Sequence, residues 1–213
     1  MNSRTGGYID RELKFADYYR SYAFTSAWTV CDPTTPSTLS AVAQGDGESQ
    51  RDGRVYHMDS IHLKGQIQMT TAKNESVPQP YETVRVALVL DTQSNGATIA
   101  ASDVFDTVTG PDYLSFRNLQ YTKRFRVLWD HSFSLHPNNA PDGNTGVNVT
   151  FTVGGGGVEF KKSITFKSPI KVVCKGTTAA IASITDNSLH MVALASDDSL
   201  GVLDYTSRLR FTG

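Results

Sequence analysis

Ile61-His62-Leu63-Lys64-Gly65-Gln66-Ile67-Gln68-Met69 alternates apolar and polar side chains, and Val84-Arg85-Val86-Ala87-Leu88-Val89-Leu90-Asp91 is an almost unbroken apolar run. The first is the pattern of a half-buried strand and the second that of a fully buried one. A polar turn precedes them, Gln44-Gly45-Asp46-Gly47-Glu48-Ser49-Gln50-Arg51-Asp52-Gly53-Arg54, and Thr92-Gln93-Ser94-Asn95-Gly96 follows. Turn, strand, loop, buried strand and turn is the order of an antiparallel β protein. Nothing in 43–96 resembles a catalytic constellation, so the block reads as a shape-holding element.

The same period of two extends outward. In 124–135, Phe125, Val127, Trp129, His131, Phe133 and Leu135 share one face, opposite Arg124, Arg126, Asp130, Ser132 and Ser134. Near the C-terminus Leu203, Tyr205, Leu209 and Phe211 lie opposite Asp204, Thr206, Arg208 and Arg210. About eight strands are expected, near 12–28, 54–71, 83–91, 123–136, 158–166, 170–175, 188–195 and 202–212. The breaks carry Gly, Pro, Asn and Asp, which supply fixed or positive φ. Eight antiparallel strands with several long connections predict an all-β fold, a single eight-stranded jelly roll of two sheets. Residues 92–122 and 137–157 are too long for idle turns, and long loops on a rigid scaffold often carry recognition.

The chain has 213 residues, 39% of them hydrophobic and 19% charged, which suits one ordered domain over 12–213. No apolar run approaches the roughly 20 residues of a membrane-spanning helix. The N-terminus lacks a secretory apolar stretch, so Asn74-Glu75-Ser76 and Asn148-Val149-Thr150 read as chance glycosylation patterns. Cys31 and Cys174 form neither a disulfide framework nor a zinc spacing. The net charge of −1 predicts no strong global attraction to nucleic acid. Locally, Lys161, Lys162, Lys167, Lys171 and Lys175, and then Arg117, Lys123, Arg124 and Arg126, form basic stretches. These read either as solvated strand faces or as a polyanion-binding surface.

Sites of chemistry are hard to find. Gly154-Gly155-Gly156-Gly157 lacks the Gly-Lys-Ser/Thr of a phosphate loop. His57, His62, His131, His136 and His190 show no metal-ligand spacing, and His57 and His62 would face opposite ways in an uninterrupted strand. Asp46, Glu48 and Asp52, and also Asp197 and Asp198, miss the spacing of a calcium loop. No Gly-x-Ser-x-Gly elbow is present. The expectation is a non-enzymatic protein with no cofactor and no metal. Tyr8, Phe15, Tyr18, Tyr19, Tyr22, Phe24 and Trp28 crowd the first strand region, and any excess over one buried face would suit a subunit interface.

The chain resembles the capsid proteins of circovirus-like (CRESS) single-stranded DNA viruses. The resemblance begins at Glu12-Leu13-Lys14-Phe15-Ala16-Asp17. It is strongest in 43–54 leading to Ser60-Ile61-His62-Leu63-Lys64-Gly65, and it continues through 84–91 with Gln93 and Asn95-Gly96. It then runs through Phe116-Arg117-Asn118-Leu119, 124–130 and Asn187-Ser188-Leu189 to Tyr205-Thr206-Ser207-Arg208-Leu209-Arg210-Phe211. It implies an eight-stranded jelly roll assembling as sixty copies into an icosahedral T=1 shell around circular single-stranded DNA. It also implies a virion location, passage through the host nucleus during assembly, a host-cell receptor the sequence does not identify, and no membrane. The competing reading is a non-viral jelly-roll module that binds carbohydrate or a receptor as a small oligomer.

The resemblance implies an arginine-rich arm, and 1–11 carries only Arg4 and Arg11 as basic residues, so either the arm has been removed or the folded surface packages the genome. Affinity for nucleic acid scales with the phosphates neutralised, so this 213-residue form is expected to assemble yet hold DNA weakly. In a jelly roll, strands one, eight, three and six share a sheet. That gathers Arg11, Lys14, Arg20, Arg85, Lys171, Lys175, Arg208 and Arg210 on one side of the sandwich. Arg11, Lys14, Arg208 and Arg210 are the expected DNA contacts.

Overall fold

The period-two segments form antiparallel strands stacked as two sheets. The computed structural model describes residues 13–34, 36–69, 82–106, 112–135, 138–141, 151–154, 157–196 and 201–213. Numbered along the chain, the first sheet runs β1 (Lys14–Ala23), β11 (Gly201–Thr212), β3 (Val55–Met69), β8 (Gly157–Cys174), β9 (Ile184–Asp186). The second runs β2 (Thr29–Val30), β10 (Ser188–Ala195), β4 (Glu82–Asp91), β5 (Phe125–Leu135). A separate hairpin pairs β6 (Asn138–Pro141) with β7 (Phe151–Gly154).

The two sheets thus hold nine strands among the described residues, where the sequence suggested eight. The segments expected at 158–166 and 170–175 are one strand, β8. Its Ser168-Pro169 sits where the ladder jumps from Ser60↔Thr165 to Met58↔Ile170, so the missing proline N–H breaks no ladder bond. β2 and β9 are too short for an alternating pattern to register.

The inner faces make one core. Met58, Ile61, Leu63, Ile67, Leu203, Tyr205, Leu209 and Phe211 of the first sheet pack with Val84, Val86, Leu88, Leu90, Leu189, Met191 and Ala193 of the second. Fully burying each such aliphatic or aromatic side chain contributes about 1.5–3 kcal/mol. Gly65 in β3 serves this packing: a Cβ there would lie 2.6 Å from Cζ of Phe160 and 2.7 Å from the Asp204 carbonyl oxygen. Only glycine lets the Phe160 ring lie across the strand.

Two bulges reset the alternation. The ladder between β3 and its neighbours shifts at Asp59, so Tyr56 and Met58 point inward before it and Ile61 and Leu63 after it. His57 and His62 therefore share the outer face, which an uninterrupted strand would have forbidden. In β5 the shift falls at Leu128. Phe125 and Val127 consequently face outward into a second cluster, while Trp129, Phe133 and Leu135 face the main core. The single apolar face expected for 124–135 is split in two.

That second cluster explains why 84–91 is apolar on both sides. The connection from β4 to β5 folds back over the outer face of the second sheet through a short helix, α1 (Ala101–Val104), and two 3-10 turns, Asp112–Leu114 and Leu119–Tyr121. Ile99, Ala101, Val104 and Phe105 bury Ala87, Val89, Val192, Leu194 and Trp28. The turn that launches this connection is the expected one, with Asn95 at φ 49° and Gly96 at φ 77°. Cys31 and Cys174 are buried free thiols, and burial raises the pKa of both.

Candidate nucleic-acid interface

Three rows of side chains cross the outer face of the first sheet, set by the register of β1, β11, β3 and β8. They are Phe15↔Arg210↔Ser60↔Thr165, Asp17↔Arg208↔His62↔Ser163 and Tyr19↔Thr206↔Lys64↔Lys161. The middle of this face is a groove of about 580 Å³ lined by Asp17, His62, Lys64, Lys161, Arg208 and Arg210, among others. Arg208 donates to both carboxylate oxygens of Asp17, Nε to Oδ1 at 2.7 Å and Nη2 to Oδ2 at 2.5 Å. That bond holds the Asp17 carboxyl below the usual range. The Arg208 guanidinium also lies 5.0 Å from the Phe15 ring centre. His62 is oriented by two hydroxyls, Nδ1 to Ser163 Oγ at 2.9 Å and Nε2 to Ser60 Oγ at 3.1 Å.

Of the four expected DNA contacts, Arg208 and Arg210 share this face. Lys14 does not. It is opposite Phe211 on the inner side, buried, with its ammonium 2.5 Å from Asp52 Oδ1. Arg11 and the rest of the 1–11 segment lie outside the described residues, as do His136, Asp197 and Asp198. Among the wider basic set, Lys171 opposes His57 on the outer face, whereas Arg20 opposes Tyr205 on the inner one. Lys175 lies just beyond β8 and is exposed.

Arg85 is a correction. It belongs to β4 in the second sheet, because the third strand of the chain is β3 and not β4 once β2 is counted. Its guanidinium forms a bidentate pair with Asp130 at 2.8 and 2.6 Å and donates to the Ser115 carbonyl at 2.7 Å. It lies 5.2 Å from the Trp28 ring and 5.0 Å from Phe105, and those two rings stack on each other. Arg85 clamps the covering segment and offers nothing to a ligand. Arg124, in the second basic stretch, is likewise committed to buried Asp91 through two bonds of 2.9 Å.

Sequence reading missed the contribution of β3 and β8 to the groove, namely His62, Lys64, Lys161 and Ser163. Lys161 was visible as part of a basic stretch. Its position opposite Lys64 depends on pairing register, which alternation within one strand does not encode.

One buried cluster has the order of an acid, base and nucleophile. Asp32 Oδ2 is 2.6 Å from His190 Nδ1, and His190 Nε2 is 2.7 Å from Ser188 Oγ. Ser188 Oγ is 2.7 Å from Ser94 Oγ, and Asp32 Oδ1 accepts from the Met191 N–H at 2.7 Å. Burial pushes the Asp32 carboxyl up from its ordinary range, against the pull of His190. Ser188 and His190 are fully enclosed, so the cluster ties residues 31–40 to β10. Asp32→Asn keeps an acceptor for Met191 but loses the charge-assisted bond. It is expected to cost about 1–2 kcal/mol in urea unfolding, leaving the fold intact by circular dichroism.

The polar turn 44–54 is held from within. Arg51 is wholly buried; its Nε donates to the Val42 carbonyl at 3.0 Å, and its terminal nitrogens donate to the carbonyls of Gly53 and Gly176. Among the described residues no three His, Cys, Asp or Glu side chains converge as metal ligands, and no helix is long and apolar enough to cross a membrane.

No protein-family model and no curated protein matches this chain. Among solved structures, the 60-mer BFDV capsid protein is similar over 94% of this chain and 93% of its own, with 9% identity and a TM-score of 0.28. A likeness of that size decides neither fold nor function.

Proposed function

We propose that this protein is a viral capsid subunit, a jelly roll over 12–213 that assembles into a T=1 shell enclosing single-stranded DNA, with a structural and non-enzymatic role. The observation that carries the reading is the strand order. With the three-residue edge strand β9 and the β6–β7 hairpin set aside, and β1, β2, β3, β4, β5, β8, β10 and β11 counted one to eight, the sheets run 1-8-3-6 and 2-7-4-5. Each sheet interleaves strands from both ends of the chain, which supports the reading as a rolled double Greek key. A fold alone does not assign a function. The second support is the resemblance of 43–54, 84–91, 124–130 and 205–211 to circovirus-like capsid proteins.

A surface suited to subunit contact accompanies this order. Phe116 is 85% exposed, Leu119 81% and Leu114 63%, all on the segment that covers the second sheet. Three large apolar side chains so exposed within six residues suit a subunit contact. Negative-stain electron microscopy tests the reading: uniform closed shells are expected, whereas discrete small oligomers would favour the binding-module alternative. Phe116→Asp with Leu119→Asp is expected to abolish the shells and leave a folded subunit, checked by circular dichroism.

A further inference from the structure

Lys64 and Lys161 stand directly opposite each other across β3 and β8, both exposed on the outer face. Like charges at directly opposed positions destabilise a sheet. Neither forms an ion pair among the described residues. Arg208, one register row away, spends Nε and Nη2 on Asp17, and its Nη1 has no partner among the described residues. Arg210 completes the cationic lining, and among the described residues Asp17 is the one carboxylate lining this groove, while Glu159 and Asp204 line the adjoining cleft that Lys64 and Lys161 share with Tyr19. The cost of holding two ammonium groups opposite each other is relieved by an anion seated between them.

We propose that this groove seats the phosphodiester backbone of single-stranded nucleic acid, with Lys64 and Lys161 as the principal phosphate contacts and Arg208 Nη1 and Arg210 at its margin. This deepens the capsid reading and rests on it for the identity of the nucleic acid. Tyr19 adds an aromatic element beside the two lysines. It lies in the same register row as Lys64 and Lys161, is 65% exposed, and has its hydroxyl held by Asp204 Oδ1 at 3.1 Å. A fixed, exposed aromatic ring beside a cationic groove offers a stacking plane for a base. A sugar ring packs on such a face as well, so the parallel heparin probe separates the two ligands.

The test is fluorescence anisotropy on the full chain with a short labelled oligothymidylate, and in parallel with a labelled heparin oligosaccharide. The double variant Lys64→Gln/Lys161→Gln is expected to bind the oligonucleotide about tenfold more weakly near 0.1 M salt. Its log-affinity against log-salt slope should flatten by about 1.4, since each lost single-strand phosphate contact removes about 0.7. Tyr19→Ala is expected to weaken the oligonucleotide at least about fivefold with the salt slope unchanged. Lys64→Arg/Lys161→Arg should restore binding, and an unchanged thermal midpoint in all variants shows that the fold is retained. Parent-like oligonucleotide affinity in the glutamine variant would overturn the proposal. So would a neutral Tyr19→Ala combined with equal loss of the heparin probe. Light scattering on the same samples separates the two levels. Particles without lysine-dependent binding refute the groove alone, while lysine-dependent binding without particles supports the groove and counts against the capsid reading.

Discussion

Arg51→Met is expected to destabilise the protein by about 4 kcal/mol in urea unfolding, enough to leave much of a marginal domain unfolded. Arg51 has no solvent exposure, and its guanidinium bonds the carbonyls of Val42, Gly53 and Gly176, with Gln44 Oε1 at 3.5 Å from Nη1. Those carbonyls come from three separate stretches of backbone. Methionine fills the volume but leaves them buried without donors, at about 1–3 kcal/mol each before relaxation. Arg51→Lys should recover little, because one ammonium cannot satisfy acceptors arranged around a planar fork. A loss below about 1 kcal/mol in Arg51→Met would show that the turn is held by something else.

Arg85→Ala is the second large effect, about 3 kcal/mol, and it should be local in its consequences. The substitution removes the paired bonds to Asp130, the bond to the Ser115 carbonyl and the cation over Trp28 and Phe105. What is released is the segment covering the second sheet, which includes Ser115, whose Oγ accepts from Trp28 Nε1 at 2.9 Å. Hydrogen exchange should lose protection at the amides of Asp106, Ser115 and Asn118, while β3 and β11 keep theirs. Trp28 emission should shift red as its stacked partner departs. Uniform loss of protection across both sheets would contradict the clamp. Arg126→Ala, an exposed change on β5, should do almost nothing by comparison.

These two arginines mark where sequence reading stopped. The strands β3, β4, β5, β10 and β11 were legible because each is long and shows alternation or an apolar run. The turn at Asn95-Gly96 was legible from its dipeptide. The bulges at Asp59 and Leu128 were not, because a single inserted residue leaves local composition unchanged while reversing every later side chain. That reversal put His57 and His62 on one face and sent Phe125 and Val127 to the outer cluster. The two-residue β2 was invisible, and losing it shifted the strand count so that Arg85 fell in the wrong sheet. Arg208 and Arg210 were placed together correctly by alternation alone, whereas the inward turn of Lys14 depended on its register against Phe211. A buried arginine in a glycine-rich polar turn gives no sequence signal, since its partners are carbonyls that every residue carries.

The central claim is that this chain builds a closed shell. Mass photometry of the purified protein measures that directly. The expected result is a narrow species of sixty copies of the 23.3 kDa chain, roughly 1,400 kDa, present without added partner. A population confined to monomers, dimers or trimers across a wide range of protein and salt concentrations would contradict it.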